Sequence, residues 1–155
     1  MIREFKTVLV VSDFSDLANH AIPFAYGVAA TDGRVHLLHV IEHDTMPNSM
    51  YAHYSNDDLA LPEDQEKAKE EMATRLLALR PADAGGRHTS TQVVLHANVS
   101  QGILQVADEI DADIIVIASH GRTGLGHLLL GSVAEEVLHD SHRPVLIVPR
   151  PQTDS

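Results

Sequence analysis

Five short apolar runs recur along this chain, at Val8–Val11, Val35–Ile41, Gln92–Leu95, Ile114–Ala118 and Val145–Val148, and between them the apolar residues switch to a helical period. Runs of this length, β-branched and without strict polar alternation, suit strands buried on both faces, as in a parallel sheet covered by helices. The helical stripes are Ala18, Ala21, Ile22, Ala25, Val28 and Ala29, then Ala68, Met72, Leu76 and Leu79, then Ile103, Leu104, Ala107 and Ile110. A fourth helix is expected from Ser132 to about Asp140, burying Val133, Val137 and Leu138. This alternation predicts a three-layer α/β sandwich with a five-stranded parallel sheet, four helices and right-handed crossovers.

Local signals sharpen the pattern. Ser132-Val-Ala-Glu135 reads as a capping box with Ser132 as the cap, and Asn98-Val-Ser-Gln101 reads as a second one. Pro23 is the misfit, because a proline inside the first stripe removes a hydrogen bond or kinks the helix. The segment from Glu42 to Pro62 is the one long irregular stretch, and connections of that length tend to be functional or mobile. Residues 1–149 are expected to form a single domain, with a frayed tail at 150–155.

Composition narrows the function classes. Twenty-two acidic against eleven basic residues give a net charge of −11, and no basic patch offsets it, so nucleic acid and anionic membrane are disfavoured as partners. Without cysteine there is no disulfide framework, thiolate metal site or cysteine nucleophile. The N-terminus lacks a signal-peptide core and no apolar run reaches membrane-spanning length, so a cytoplasmic protein is the expectation. Eleven histidines make the charge less negative as pH falls through their ordinary range.

In an open parallel sheet, ligands bind beyond the carboxyl ends of the strands. Asp13 lies at the first such end, Glu42 and His43 at the second, and the stretch from Ser119 to Gly131 follows the fourth with four of the chain's nine glycines. Glycines let backbone approach a ligand, and the helix opening after Gly131 offers free N–H groups and a positive dipole end, a combination suited to phosphate. Gly126-His-Leu-Leu-Leu-Gly131-Ser132 has P-loop glycine spacing but serine in place of the lysine, and Gly124-Leu-Gly126 lacks the third glycine of a dinucleotide fingerprint. The loop is better suited to binding than to fast phosphoryl transfer, with Arg122 as its fully charged helper. Asp13 has a rival role as a cap of the first helix, alone or with Ser15. His120 and His127 are candidates for phosphate contact when protonated or for metal binding, the latter disfavoured by the lack of a ligand pattern nearby, whereas His36 and His39 read as packing or edge residues of the second strand.

Ala118-Ser-His-Gly121, nine further residues, and Gly131-Ser132 resemble the G-x2-G-x9-G-[ST] signature of the ATP-binding branch of the universal stress protein family. The resemblance extends from Val8-Leu-Val-Val-Ser-Asp13 through Asp111-Ala-Asp-Ile-Ile-Val116 to Arg143-Pro-Val-Leu-Ile-Val148. It implies an adenine nucleotide alpha hydrolase-like fold with strand order 3-2-1-4-5, a role in stress response, and ATP at the ends of the first and fourth strands, with Mg or Mn carried by its phosphates. Ser12 and Asp13 would then lie near the adenosine, Val40 or Ile41 would meet adenine through backbone groups, and Gly121, Gly131, Ser132 and the N–H of Val133 would hold the phosphates. Val11, Ala118, Ser119, His120, Arg122 and Gly124 complete the inferred set. The chain departs from the signature at Ala118, where the first glycine is expected. Homodimers through the last strand, Val145, Leu146, Ile147 and Val148, follow from the resemblance and from the exposed edge such a strand presents. No catalytic constellation stands out, so at most slow ATP hydrolysis is expected; the alternative is a nucleotide-free dimeric interaction module of the same fold.

Overall fold

The computed structural model describes residues 1–42, 62–120 and 130–152. Strands β1 (Phe5–Val11), β2 (Ala29–Glu42), β3 (His88–His96), β4 (Ile114–Ala118) and β5 (Val145–Val148) form one sheet in the order β3-β2-β1-β4-β5. Every pairing is parallel. Helices α1 (Asp16–His20), α2 (Ile22–Val28), α3 (Pro62–Leu77), α4 (Val99–Glu109) and α5 (Ser132–Asp140) occupy the connections. None of the described helices is long and apolar enough to cross a membrane.

Pro23 explains why the first helical stripe arrives as two segments. α1 closes at Ala21, and α2 restarts with Pro23 in its first turn, where a missing N–H costs nothing. The stripe ends one residue early, since Ala29 is already strand. β2 begins well before Val35 because its N-terminal part bulges against β1: Phe5 pairs Ala29, whereas Thr7 pairs Arg34. Gly33 sits inside that bulge, where a Cβ would lie 3.0 Å from the carbonyl oxygens of both Ala30 and Lys6.

Two cores flank the sheet. Val8, Val10, Val35, Leu37, Val116 and Ala118 pack under α1, α2 and α3, with Ala21, Ile22, Ala25 and Leu76 facing them. Leu9, Leu38, Ile115 and Ile117 pack on the other face against Ile103, Val106, Ala107, Ala134 and Val137 of α4 and α5. Leu9, Leu38, Leu76, Ile103 and Ile115 are fully buried, each contributing about 1.5–3 kcal/mol relative to exposure. The expectation for α5 needs one correction: Ala134 and Val137 are buried, whereas Leu138 is 48% exposed. At 3.6 residues per turn, Leu138 lies about 100° round from Val137 and leaves the core face.

Capping separates the two sequence boxes. Asn98 caps α4, its Oδ1 accepting from Gln101 N at 2.9 Å. Ser132 does not cap α5, because Gly131 holds the cap position in extended conformation without a side-chain bond, which makes Ser132 the first helical residue. Its hydroxyl is therefore not consumed by the helix.

Candidate functional site

The strand order reverses between β1 and β4, and the crevice of an open α/β sheet opens at such a reversal. Val10 pairs Val116 and Val11 pairs Leu38, so the register puts Ser12 level with Ala118 on one side and with His39 on the other. Ser12 N donates to Leu38 O and Ser119 N to Val148 O, both at 2.9 Å, carrying the ladder one step beyond the strands before the chains diverge. A cleft of about 650 Å³ opens there. Its volume lies in the range of small-molecule and cofactor sites.

The turn after β1 is built under strain. Phe14 adopts φ +67°, a region that bulky side chains avoid at a cost of about 1–3 kcal/mol. Its N–H donates to Ser12 Oγ at 2.9 Å, and that hydroxyl donates in turn to Asn19 Oδ1 at 2.6 Å. His39 Nδ1 donates to Ser12 O at 2.8 Å, and the His39 and Phe14 rings lie 4.7 Å apart. Over the same Phe14 ring, the Arg75 guanidinium carbon from α3 sits 4.0 Å from the centroid. Asp13 Oδ1 accepts from Ser15 N at 2.9 Å, while Ser15 caps α1 by accepting from Ala18 N. Asp13 thus braces the capping residue and leaves capping to Ser15.

The opposite end of the cleft is tied shut at its base. Gly131 N donates to Ser119 O at 2.7 Å, and a Cβ on Gly131 would lie 3.1 Å from that oxygen. α5 starts at this point with its N-terminal groups toward the cleft, which Gly131, Ser132 and Val133 line. His120 is 93% buried, with Nδ1 3.1 Å from Ser119 Oγ and a buried Nε2 that meets no partner among the described residues. A buried imidazole nitrogen left unpaired costs about 1–3 kcal/mol, which makes this end of the cleft a place where an oxygen ligand would recover energy. The Ala118 methyl belongs to the core under α1 and α2, the face of the sheet away from α5, so it does not fill the space in front of that helix.

The cleft gathers Val11, Ser12, Asp13, Val40, Ile41, Ala118, Ser119, His120, Gly131, Ser132 and Val133 from the sequence-inferred set. Gly121, Arg122 and Gly124 lie outside the described residues, as does most of the 42–62 connection. Sequence reasoning missed Phe14, Met72, Arg75, Val99, Ile103 and Ile117, and it assigned His39 to packing although His39 lines the cleft. His39 had a legible signal, since it stands two residues before Ile41 at a strand end. Arg75 had none, because only the docking of α3 brings it there. His36 does pack within the sheet, held by Ser90 and Gln92 of β3.

A parallel sheet with a ligand-sized cleft at its reversal point defines a doubly wound α/β binding module. The family model for the universal stress protein family matches residues 4–149. The chain belongs to that family, whose role lies in stress response. The universal stress protein MJ0531 of Methanocaldococcus jannaschii is 30% identical over 97% of this chain and 85% of its own length. Universal stress protein MJ0577 of the same archaeon is 26% identical over 94% of this chain and 96% of its own. In structure, MJ0577 matches with a TM-score of 0.71 and 28% identity, covering 97% of this chain and 100% of that one. The universal stress protein UspA from Lactobacillus plantarum shares the fold at the same TM-score, with 18% identity over 95% of this chain and 99% of its own.

Proposed function

We propose that this cleft binds an adenine nucleotide, ATP, and that occupancy of the cleft rather than turnover is the output. The observation that carries the reading is the pairing at one end of the cleft of the start of α5 at Ser132 and Val133, which no described side chain caps, with the buried Nε2 of His120, which meets no partner among the described residues. Backbone donors, a positive dipole end and a spare imidazole donor form an anion site that needs no lysine. The other end offers the apolar side chains of Val40, Ile41, Phe14 and Met72 to a base, with His39 and Arg75 packed on Phe14 beside them. Two strand spacings, about 10 Å, separate the ends of β2 and β4, so base and phosphates reach both ends at once. Phosphoryl transfer needs charge placed at the transferring group, and the cleft's Arg75 stands at the base end, which favours binding over chemistry. A Mg or Mn ion would travel with the nucleotide, held through its phosphates.

Ser132→Glu tests the reading without threatening the fold. An acidic side chain in the first helical turn stabilises α5, yet it puts a carboxylate where phosphate binds. Nucleotide-stripped protein should melt several degrees higher in millimolar Mg-ATP, about 2.7 kcal/mol at a hundredfold excess over Kd, and Ser132→Glu should lose that gain. An unshifted melt for the unmodified protein would overturn the proposal.

The same reading includes a homodimer. β5 is the outer strand, and Val145, Leu146 and Ile147 are only half-buried along it, so a second copy pairing there covers apolar surface and the free ladder groups. Light scattering at micromolar concentration should give twice 16.9 kDa, and a monomer would refute this part.

A further inference from the structure

Among the described cleft residues, Arg75 is the one arginine or lysine, and its position is unlike that of the protein's other well-placed arginines. Arg80, Arg87 and Arg143 all donate to carbonyl or side-chain oxygens that fix loops and strand starts. Arg75 is exposed and makes no hydrogen bond or ion pair with any described residue; the Phe14 ring 4.0 Å away is what positions it. That ring is itself fixed by the strained φ of +67°, by the Ser12 hydroxyl and by the His39 ring. Strain kept at a ligand cleft, and a guanidinium stacked with its five donors unspent, are two independent signs of a surface prepared for a ligand.

We propose that the Arg75 guanidinium, laid on Phe14, is the platform on which the nucleobase stacks, making Arg75 a recognition residue for the base and not for the phosphates. The inference rests on the nucleotide reading above and adds the base-side determinant. The Arg75 guanidinium lies over the Phe14 ring and the His39 ring is tilted against it, so the outer face of the guanidinium is the planar surface this stack offers a base. Planar guanidinium groups stack on aromatic rings and on nucleobases, whereas the ammonium of lysine supplies charge without a plane. Met72, one turn earlier on the same helix, together with Ile41 at the end of β2, supplies the apolar walls of the slot.

The test compares adenosine, ATP and inorganic tripolyphosphate as probes, by calorimetry, on the unmodified protein and on Arg75→Ala, Arg75→Lys and Arg75→Gln. Arg75 is exposed, so all three variants should keep the melting temperature of the unliganded protein. Stacking predicts about tenfold weaker adenosine and ATP binding in Arg75→Ala, no rescue by Arg75→Lys, partial rescue by the planar amide of Arg75→Gln, and unchanged tripolyphosphate binding. Full rescue by lysine, or a loss confined to ATP and tripolyphosphate, would make Arg75 a phosphate cation and overturn the proposal. Variants that bind all three probes like the unmodified protein would overturn it equally, while leaving the nucleotide site standing. If the unmodified protein binds neither adenosine nor ATP, the nucleotide reading fails and this inference falls with it.

Discussion

The two ends of the sheet use polar groups in opposite ways. At the N-terminal ends of the strands, bridging charges are spent on the fold: Asp113 accepts from the N–H groups of both Lys6 and Thr7 at 2.8 Å, Arg87 donates to Ala29 O, and Arg143 donates to Ala112 O at 2.6 Å and to Asp108. At the C-terminal ends the protein carries a strained Phe14 and, among the described residues, a His120 Nε2 without a partner and an Arg75 held by a ring alone. One end closes its hydrogen-bond account internally and the other leaves capacity unused. Stability and binding are therefore separable by position, since real proteins depart from local consistency at functional sites and offset the cost elsewhere.

The largest expected effect tests the closed end. Arg143→Ala strips a donor from the buried Ala112 carbonyl and breaks the bond to Asp108, with the Arg143 side chain only 19% exposed. A loss of about 2–3 kcal/mol should follow, several degrees in melting temperature, with nucleotide affinity unchanged. A drop in affinity as large as the drop in stability would show that the two ends are coupled.

The converse experiment lies at the open end. Replacing Ser119 and His120 together by Ala and Leu removes both partners of one hydrogen bond along with the orphaned Nε2. Removing a buried donor with its partner is close to neutral for folding or stabilising by about 1 kcal/mol. The melting temperature of the unliganded double variant should thus hold or rise, while ATP binding weakens about tenfold, the worth of one charge-assisted bond. A melting temperature several degrees lower would mean that His120 is already satisfied within the fold.

How much of this was legible in the sequence follows the same division. Burial on both faces forces β-branched runs, so the five strands announced themselves, and α5 falls at Ser132–Asp140 as the periodicity indicated. The start of β2 did not, because Thr31-Asp32-Gly33 has turn chemistry and becomes strand only through the bulge against Phe5–Thr7. Pro23 signalled a break that the structure resolves by restarting the helix around it. In the cleft, the residues at strand ends and at the start of α5 were legible because the chain's own topology brings them together. Arg75 was not, because it comes from the middle of a helix whose placement depends on tertiary packing. Ser132 matched the capping motif, yet Gly131 takes the cap, a choice that depends on the angle at which the loop enters the helix.

The smallest effect is one of pH, at a paired histidine away from the cleft. His36, in the middle of β2 and outside the cleft lining, sits between Ser90 Oγ at 2.6 Å and Gln92 Oε1 at 2.8 Å. Gln92 Oε1 can only accept, so Nε2 carries the proton and Nδ1 accepts from the Ser90 hydroxyl. Burial holds the His36 pKa below its ordinary 6.5; the bond to Gln92 works against that shift and nearby Arg34 adds to it. The native state therefore binds a proton at His36 less readily than the unfolded chain does. The stability this represents is complete above about pH 6.5, is lost as pH falls from there toward the folded pKa, and changes no further below it. His139, fully exposed beside Asp140, has a raised pKa and the opposite sign: its contribution is present below 6.5 and lost as pH rises through its folded pKa. Solvent screening keeps that term small. The unliganded protein should thus melt lower at pH 5.5 than at pH 7.5, and His36→Gln, which cannot titrate, should shrink that difference. The same variant should leave ATP affinity untouched at either pH, because His36 does not line the cleft and both of its ring nitrogens are paired within the sheet. A variant with an undiminished pH difference would move the titrating group elsewhere in the protein.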